Sequence, residues 1–239
     1  MGGITDYGNP GTFGYRMRAA RVRPLLEMIE AVHAQRGQVR IIDVGGTEQY
    51  WSIISAGFLD RHGVTIAVVN LPETPMPDDH GRFEFIAGDG CHLEVFDDCS
   101  FDIAHSNSVI EHVGDSEHMA DFAREITRVA PAYFVQTPNY WFPVEPHFKT
   151  MFFHWLPKWM RVWLLLRLNL GEWGRKTNKE AALRAVESAH LLDRKTMQTL
   201  FKEADIITER FLGLPKSLIA VKQWFGTEQA NPEDDCSTP

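Results

Sequence analysis

The chain has 239 residues, is 44% hydrophobic and carries a formal net charge of −8. That is enough apolar material for one domain with a substantial core, and the acidic balance argues against a nucleic-acid partner. Only Arg16, Arg18, Arg21 and Arg23 approach a basic stripe, and they are read as the solvated face of a first helix. Three cysteines (Cys91, Cys99, Cys236) without a C-x-x-C spacing indicate neither a disulfide framework nor a zinc site, so a reducing cytoplasm is expected. The N-terminus shows no leader pattern, and no apolar run approaches the ~20 residues of an integral membrane span.

Residues 1–15 are glycine-rich and read as a flexible N-terminal arm. Apolar positions Val22, Leu25, Leu26, Ile29 and Val32 recur at helical spacing and predict a helix over 16–36. Strand-like runs follow at 39–44, 64–69, 83–86, 101–105, 132–136, 206–212 and 218–222. Helices lie between most of them, clearest at 116–129, with Phe122, Ile126 and Val129 inward, and at 193–204. The alternation predicts an α/β fold: a Rossmann-like, doubly wound, seven-stranded sheet with helices on both faces. Only Gly213–Lys216 separates the last two strands, too short for a crossover, so one strand must run antiparallel in a mostly parallel sheet. The main domain is placed at 16–226. Residues 138–190 read as an aromatic-rich insertion or lid, and 227–239 as a disordered acidic tail.

The first strand ends in Asp43-Val-Gly45-Gly46, where glycine lets the chain turn sharply and approach a ligand. A nicotinamide site would need G-x-G-x-x-G here, but Thr47, Glu48 and Tyr50 stand in its way. Other features recur at successive strand ends: Asn70, then Gly88-Asp89-Gly90, then Phe101-Asp-Ile-Ala-His-Ser-Asn-Ser-Val-Ile-Glu111-His112-Val113. Together with Phe-Ala-Arg-Glu-Ile-Thr-Arg-Val and the closing Leu-Pro-Lys-Ser-Leu-Ile-Ala-Val-Lys, this resembles the class I S-adenosylmethionine-dependent methyltransferases, in their small-molecule branch. The resemblance covers about residues 20–225 and implies S-adenosylmethionine as cofactor.

Carried over by position, Gly45 and Gly46 would pass beneath the methionine part of the cofactor, and Asp43 would sit near its ammonium. Asn70, with Leu71 beside it, stands where the family usually has an acid for the ribose hydroxyls; Asn lacks a carboxylate's charge-assisted strength. Asp89 would accept from the adenine amino group, with Gly88 and Gly90 letting the backbone approach the ring. Ser106 and Asn107 would line the methionine side.

Transfer to a hydroxyl needs a base, and the segment after the fifth strand supplies one in Glu145-Pro146-His147. Pro143 and Pro146 restrict the backbone on both sides of Glu145, so a stiff Glu-Pro-His could orient the imidazole. His147 is expected to be the general base, with Glu145 behind it. His112, Tyr140 and Trp141 are expected to wall the acceptor pocket, and His118 to be a surface residue. No short H-x-x-x-H spacing calls for a metal.

The tryptophans at 155, 159, 163 and 173, with Phe152 and Phe153, fit a packed helix or dimer interface, an aromatic lid, or a shallow membrane contact. The sequence therefore predicts an O-methyltransferase of a small-molecule hydroxyl, preferably on a sugar or glycoside. A lipid-like or aromatic natural-product acceptor is the alternative, and a non-catalytic cofactor-binding regulator the alternative from another class. A homodimer is left open.

Overall fold

A computed structural model describes residues 13–145, 150–170 and 174–224. Helices α1 (Phe13–Arg21) and α2 (Arg23–Arg36) precede strand β1 (Val39–Val44), and the short helices α3 (Glu48–Trp51) and α4 (Ala56–Arg61) lead to β2 (Val64–Asn70). Strands β3 (Phe83–Ala87) and β4 (Ile103–Asn107) follow, then α5 (Ser116–Val129) and β5 (Ala132–Pro138). A hairpin of β6 (Val144–Glu145) and β7 (Thr150–Met151), with α6 (Lys158–Arg167) and α7 (Lys179–Glu187), makes up the insertion. The chain closes with α8 (Arg194–Leu200), β8 (Asp205–Phe211) and β9 (Leu214–Lys222).

The main sheet has the order β3-β2-β1-β4-β5-β9-β8. Its pairs are parallel except around β9, which runs antiparallel to both β5 and β8, as the short connection required. Side chains alternate across a strand, so each strand feeds two cores. Ile41, Ile66 and Val68 pack with α2, α3 and α4 on one face, while Ile42, Ala67 and Val69 pack with α5 and α8 on the other. Phe122, Ile126 and Val129 are all fully buried, as their spacing predicted. Each such side chain contributes about 1.5–3 kcal/mol relative to exposure.

The first helix is not continuous. Proline has no N–H to donate, so Pro24 is tolerated only near a helix start, and the segment divides at Val22 into α1 and α2. Helix α1 also begins at Phe13, inside the stretch read as an arm; residues 1–12 lie outside the described residues, as does the proposed tail beyond 224. Arg21 corrects the reading of a solvated arginine face. Its side chain is 10% exposed, and Nη2 pairs with Glu209 at 2.8 Å. Strand β4 starts two residues later than expected because Asp102 is spent in capping contacts, accepting from Arg36 at 2.6 Å and from the Arg40 N–H at 2.7 Å.

The loop before β4 is clamped by Arg128, which donates to the carbonyls of Leu93 and Phe96 and to the Glu125 carboxylate. That guanidinium holds the Glu125 carboxyl below its ordinary value. Cys91 is a buried free thiol that burial pushes up to about 12, too basic to serve as a nucleophile near neutral pH. Cys99 is disulfide-bonded, a cross-link that the cysteine spacing did not show.

The insertion has a small core of its own, built from Phe153, Val162, Leu165, Ala182, Ala185 and Val186. It returns to the sheet through the Tyr140 N–H, which donates to the Leu192 carbonyl at 2.9 Å.

Candidate active site

Because β1 to β5 run parallel, their carboxyl ends gather along one edge of the sheet. Strand order reverses between β1 and β4, and the crevice that ligands use in such sheets opens at that switch point.

The turn after β1 is shaped by two glycines. Gly45 has φ +73°, and a Cβ there would lie 2.5 Å from a Val109 methyl. A Cβ on Gly46 would lie 1.8 Å from Asp43 Oδ2, so no side chain fits between the turn and that carboxylate. The Gly45 N–H donates to the Val69 carbonyl at 2.7 Å. Asn70 Nδ2 donates to the Gly46 carbonyl at 2.9 Å, and the Asn70 carbonyl accepts from the Gly88 N–H at 2.8 Å. The structure thus brings together the turn, the tip of β2 and the start of the 88–90 loop. Asp89 Oδ1 accepts from the Cys91 N–H at 2.9 Å and fixes that loop, while a Cβ on Gly90 would strike Val44 and Phe122. Leu71 is exposed at the same edge.

Two of the residues expected near the cofactor are buried, with their polar atoms bonded inside the protein. Asp43 does not open to the crevice. The two-residue strand period turns it onto the same face as Ile41, beneath α3, where it is fully buried. Its Oδ2 accepts from Trp51 Nε1 at 2.8 Å and its Oδ1 from His105 Nδ1 at 2.6 Å. Ser106 is also fully buried, because β4 runs two residues further than expected; its hydroxyl donates to the Val44 carbonyl at 2.9 Å and joins β4 to β1. Asn107 does reach the strand end. Its Oδ1 accepts a long bond of 3.4 Å from Arg21 Nη1, which draws α1 over the tip of β4.

Residues that the sequence reading passed over hold this edge together. His105 is buried between Tyr50 and Phe134, stacking on Phe134 with ring centroids 5.5 Å apart, and its Nε2 has no partner among the described residues. A lone histidine in the apolar run Ile103–Ala104 was the available signal. Ser108 sits at φ +59°, a costly region for a residue with a side chain, and is held by two bonds to Gln136. Strain of this kind gathers at functional sites, and here it lies at the switch point itself. Glu111 is fully buried and accepts from Thr137 Oγ1 at 2.9 Å, joining the exits of β4 and β5.

On the acceptor side, His112 Nδ1 donates to the Ser188 carbonyl at 2.7 Å, so this imidazole ties the β4 exit to the insertion. The Tyr140 carbonyl accepts from His154 Nε2 at 2.8 Å and from Trp155 Nε1 at 3.0 Å. Trp141 follows, exposed, with its ring 6.3 Å from that of Trp155. Glu145 pairs through its backbone with Thr150 in the β6–β7 hairpin. His147 lies outside the described residues. His118 is a surface residue, as expected, paired with Asp115 at 2.8 Å.

Residues 46–131 match the family model for a methyltransferase domain, a span that takes in the ends of β2, β3 and β4 but neither Asp43 nor β5. Over that span the chain is similar to methyltransferase domains. A methyltransferase from Archaeoglobus fulgidus described as S-adenosylmethionine-dependent shares its fold, with 13% identity over 87% of this chain and 94% of that one and a TM-score of 0.51. An O-methyltransferase family protein from Burkholderia thailandensis is 16% identical over 89% of this chain and 59% of its own, with a TM-score of 0.49. A 1,6-didemethyltoxoflavin-N1-methyltransferase from the same organism is 14% identical over 86% and 79%, with a TM-score of 0.47. The chain thus spans only 59% of the length of the first of these two Burkholderia structures. No curated protein matches the chain.

S-adenosylmethionine, the cofactor that the sequence resemblance implies, suits the residues present. The turn at Gly45 and Gly46 leaves backbone rather than side chain at the switch point, and Gly88 and Gly90 do the same for the neighbouring loop. Gly46→Ala is expected to weaken binding of the product nucleotide S-adenosylhomocysteine at least about tenfold by calorimetry, since its Cβ must displace either the turn or the Asp43 carboxylate.

Proposed function

We propose that this chain transfers a methyl group from S-adenosylmethionine to a hydroxyl of a small molecule, a sugar or glycoside. The observation that carries this reading is the aromatic and polar wall where β5 leaves the sheet. Tyr140, Trp141 and Trp155 stand together there, and the Glu145-Pro146-His147 segment lies between Trp141 and Trp155 in the sequence. Aromatic faces suit the C–H surface of a sugar ring.

Gly45, Gly46, Asn70, Gly88, Asp89 and Gly90 would hold the cofactor, which supplies a methyl group on a good leaving group when bound. The protein must keep the acceptor oxygen within about 3–3.5 Å of that carbon and in line with the departing sulfur. A neutral hydroxyl is a poor nucleophile, so a base must take its proton as the new carbon–oxygen bond forms. We assign that task to His147, with Glu145 orienting or raising the basicity of its ring. The wall residues exclude water and fix the sugar face.

The test is transfer of labelled methyl to a panel of glycosides, aromatic phenols and amines, with the product located by mass spectrometry. Methylation of a sugar hydroxyl is expected. Transfer confined to amines would contradict the assignment to oxygen, and transfer confined to phenols would move the acceptor to the aromatic class.

A further inference from the structure

Helix α6 buries Val162 and Leu165 against α7, yet its opposite side is also apolar. Trp159 is 70% exposed and Trp163, one turn later, 51%. Met151 and Phe152 are exposed beside them in sequence, and the Phe152 ring lies 5.3 Å from that of Trp155. Scattered surface apolar residues need no explanation, but two indoles exposed one turn apart on one helix do.

Charge says what covers it. The insertion, residues 138–190, holds eight cations (Lys149, Lys158, Arg161, Arg167, Arg175, Lys176, Lys179 and Arg184) and four acids (Glu145, Glu172, Glu180 and Glu187), a basic excess within a chain of net charge −8. The guanidinium of Arg167 sits 5.7 Å from the Trp163 ring centroid, and Lys158 is paired with Glu187. Indole rings fringed by arginine and lysine match the headgroup zone of a bilayer, where the ring body is apolar, its edge is wet and the lipid phosphates are anionic. Among the described residues no helix is long and apolar enough to cross a membrane, so the fit is to the surface alone.

We propose that the outer face of α6, with Trp159 and Trp163 as anchors, docks this protein on an anionic bilayer surface. The proposal rests on the insertion only and stands whichever acceptor the crevice takes.

The test is co-sedimentation of the full chain with vesicles of phosphatidylcholine alone and of phosphatidylcholine with about one third phosphatidylglycerol, together with indole emission. Binding to the anionic vesicles, a blue-shifted emission and weakening by salt are expected. The double variant Trp159→Ser, Trp163→Ser should retain its melting temperature, since both side chains are exposed, and should lose about tenfold or more in vesicle partitioning. Arg167→Glu should weaken binding to the anionic vesicles only. Absence of wild-type binding to anionic vesicles, or equal binding by the double variant, overturns the proposal. Self-association through this face without vesicle binding overturns it as well and makes the face a contact between copies.

Discussion

Replacing Asp43 by alanine is expected to cost about 3–5 kcal/mol of folding stability, measured by urea unfolding at neutral pH. Both carboxylate oxygens are used, one by the Trp51 indole and one by His105, and all three side chains are buried. Truncation would strand two buried donors and leave a space under the glycine turn. Asp43→Asn should cost less, because it keeps the volume and one acceptor oxygen. The same variants report on function, since Gly46 rests on this carboxylate. The alanine variant should bind S-adenosylhomocysteine more weakly even at temperatures where it is fully folded. A loss below about 1 kcal/mol would mean that the buried triad does not support the turn.

His147→Ala should lower methyl transfer by about 10²–10⁴-fold while leaving affinity for S-adenosylhomocysteine nearly unchanged. Position singles out His147, because Glu-Pro-His follows the exit of β5, and four of the described histidines are committed elsewhere. His105 is fully buried beneath the turn, His118 is engaged with Asp115, and His112 and His154 are tethered to backbone carbonyls. His112→Ala should therefore loosen the insertion and raise the acceptor's KM, with little change in cofactor affinity. If turnover survives in the His147 variant and collapses in the His112 variant, the base has been misassigned and the two roles exchange.

The fold was legible because its signals are local. Apolar strands broken by glycine and polar tips marked the five parallel strands closely, and the short turn at Leu212–Gly213 left β9 only one direction. The chemistry of the crevice was legible as a set of positions but not as a set of contacts. Whether a strand-end acid faces the ligand or the core depends on a single residue of register and on what α3 places opposite it. Asp43 and Ser106 turned inward for that reason, and Asn70 proved to brace the glycine turn. Long-range pairs such as Arg21 with Glu209 and Glu111 with Thr137 leave no periodic trace, because their partners are brought together only when the sheet is complete.

One titration bears on the whole account. Calorimetry of the full chain with S-adenosylhomocysteine should show saturable binding at one site per chain, weakened by Gly46→Ala. No heat and no protection from thermal unfolding at millimolar nucleotide would contradict the claim that these strand ends form a nucleotide crevice.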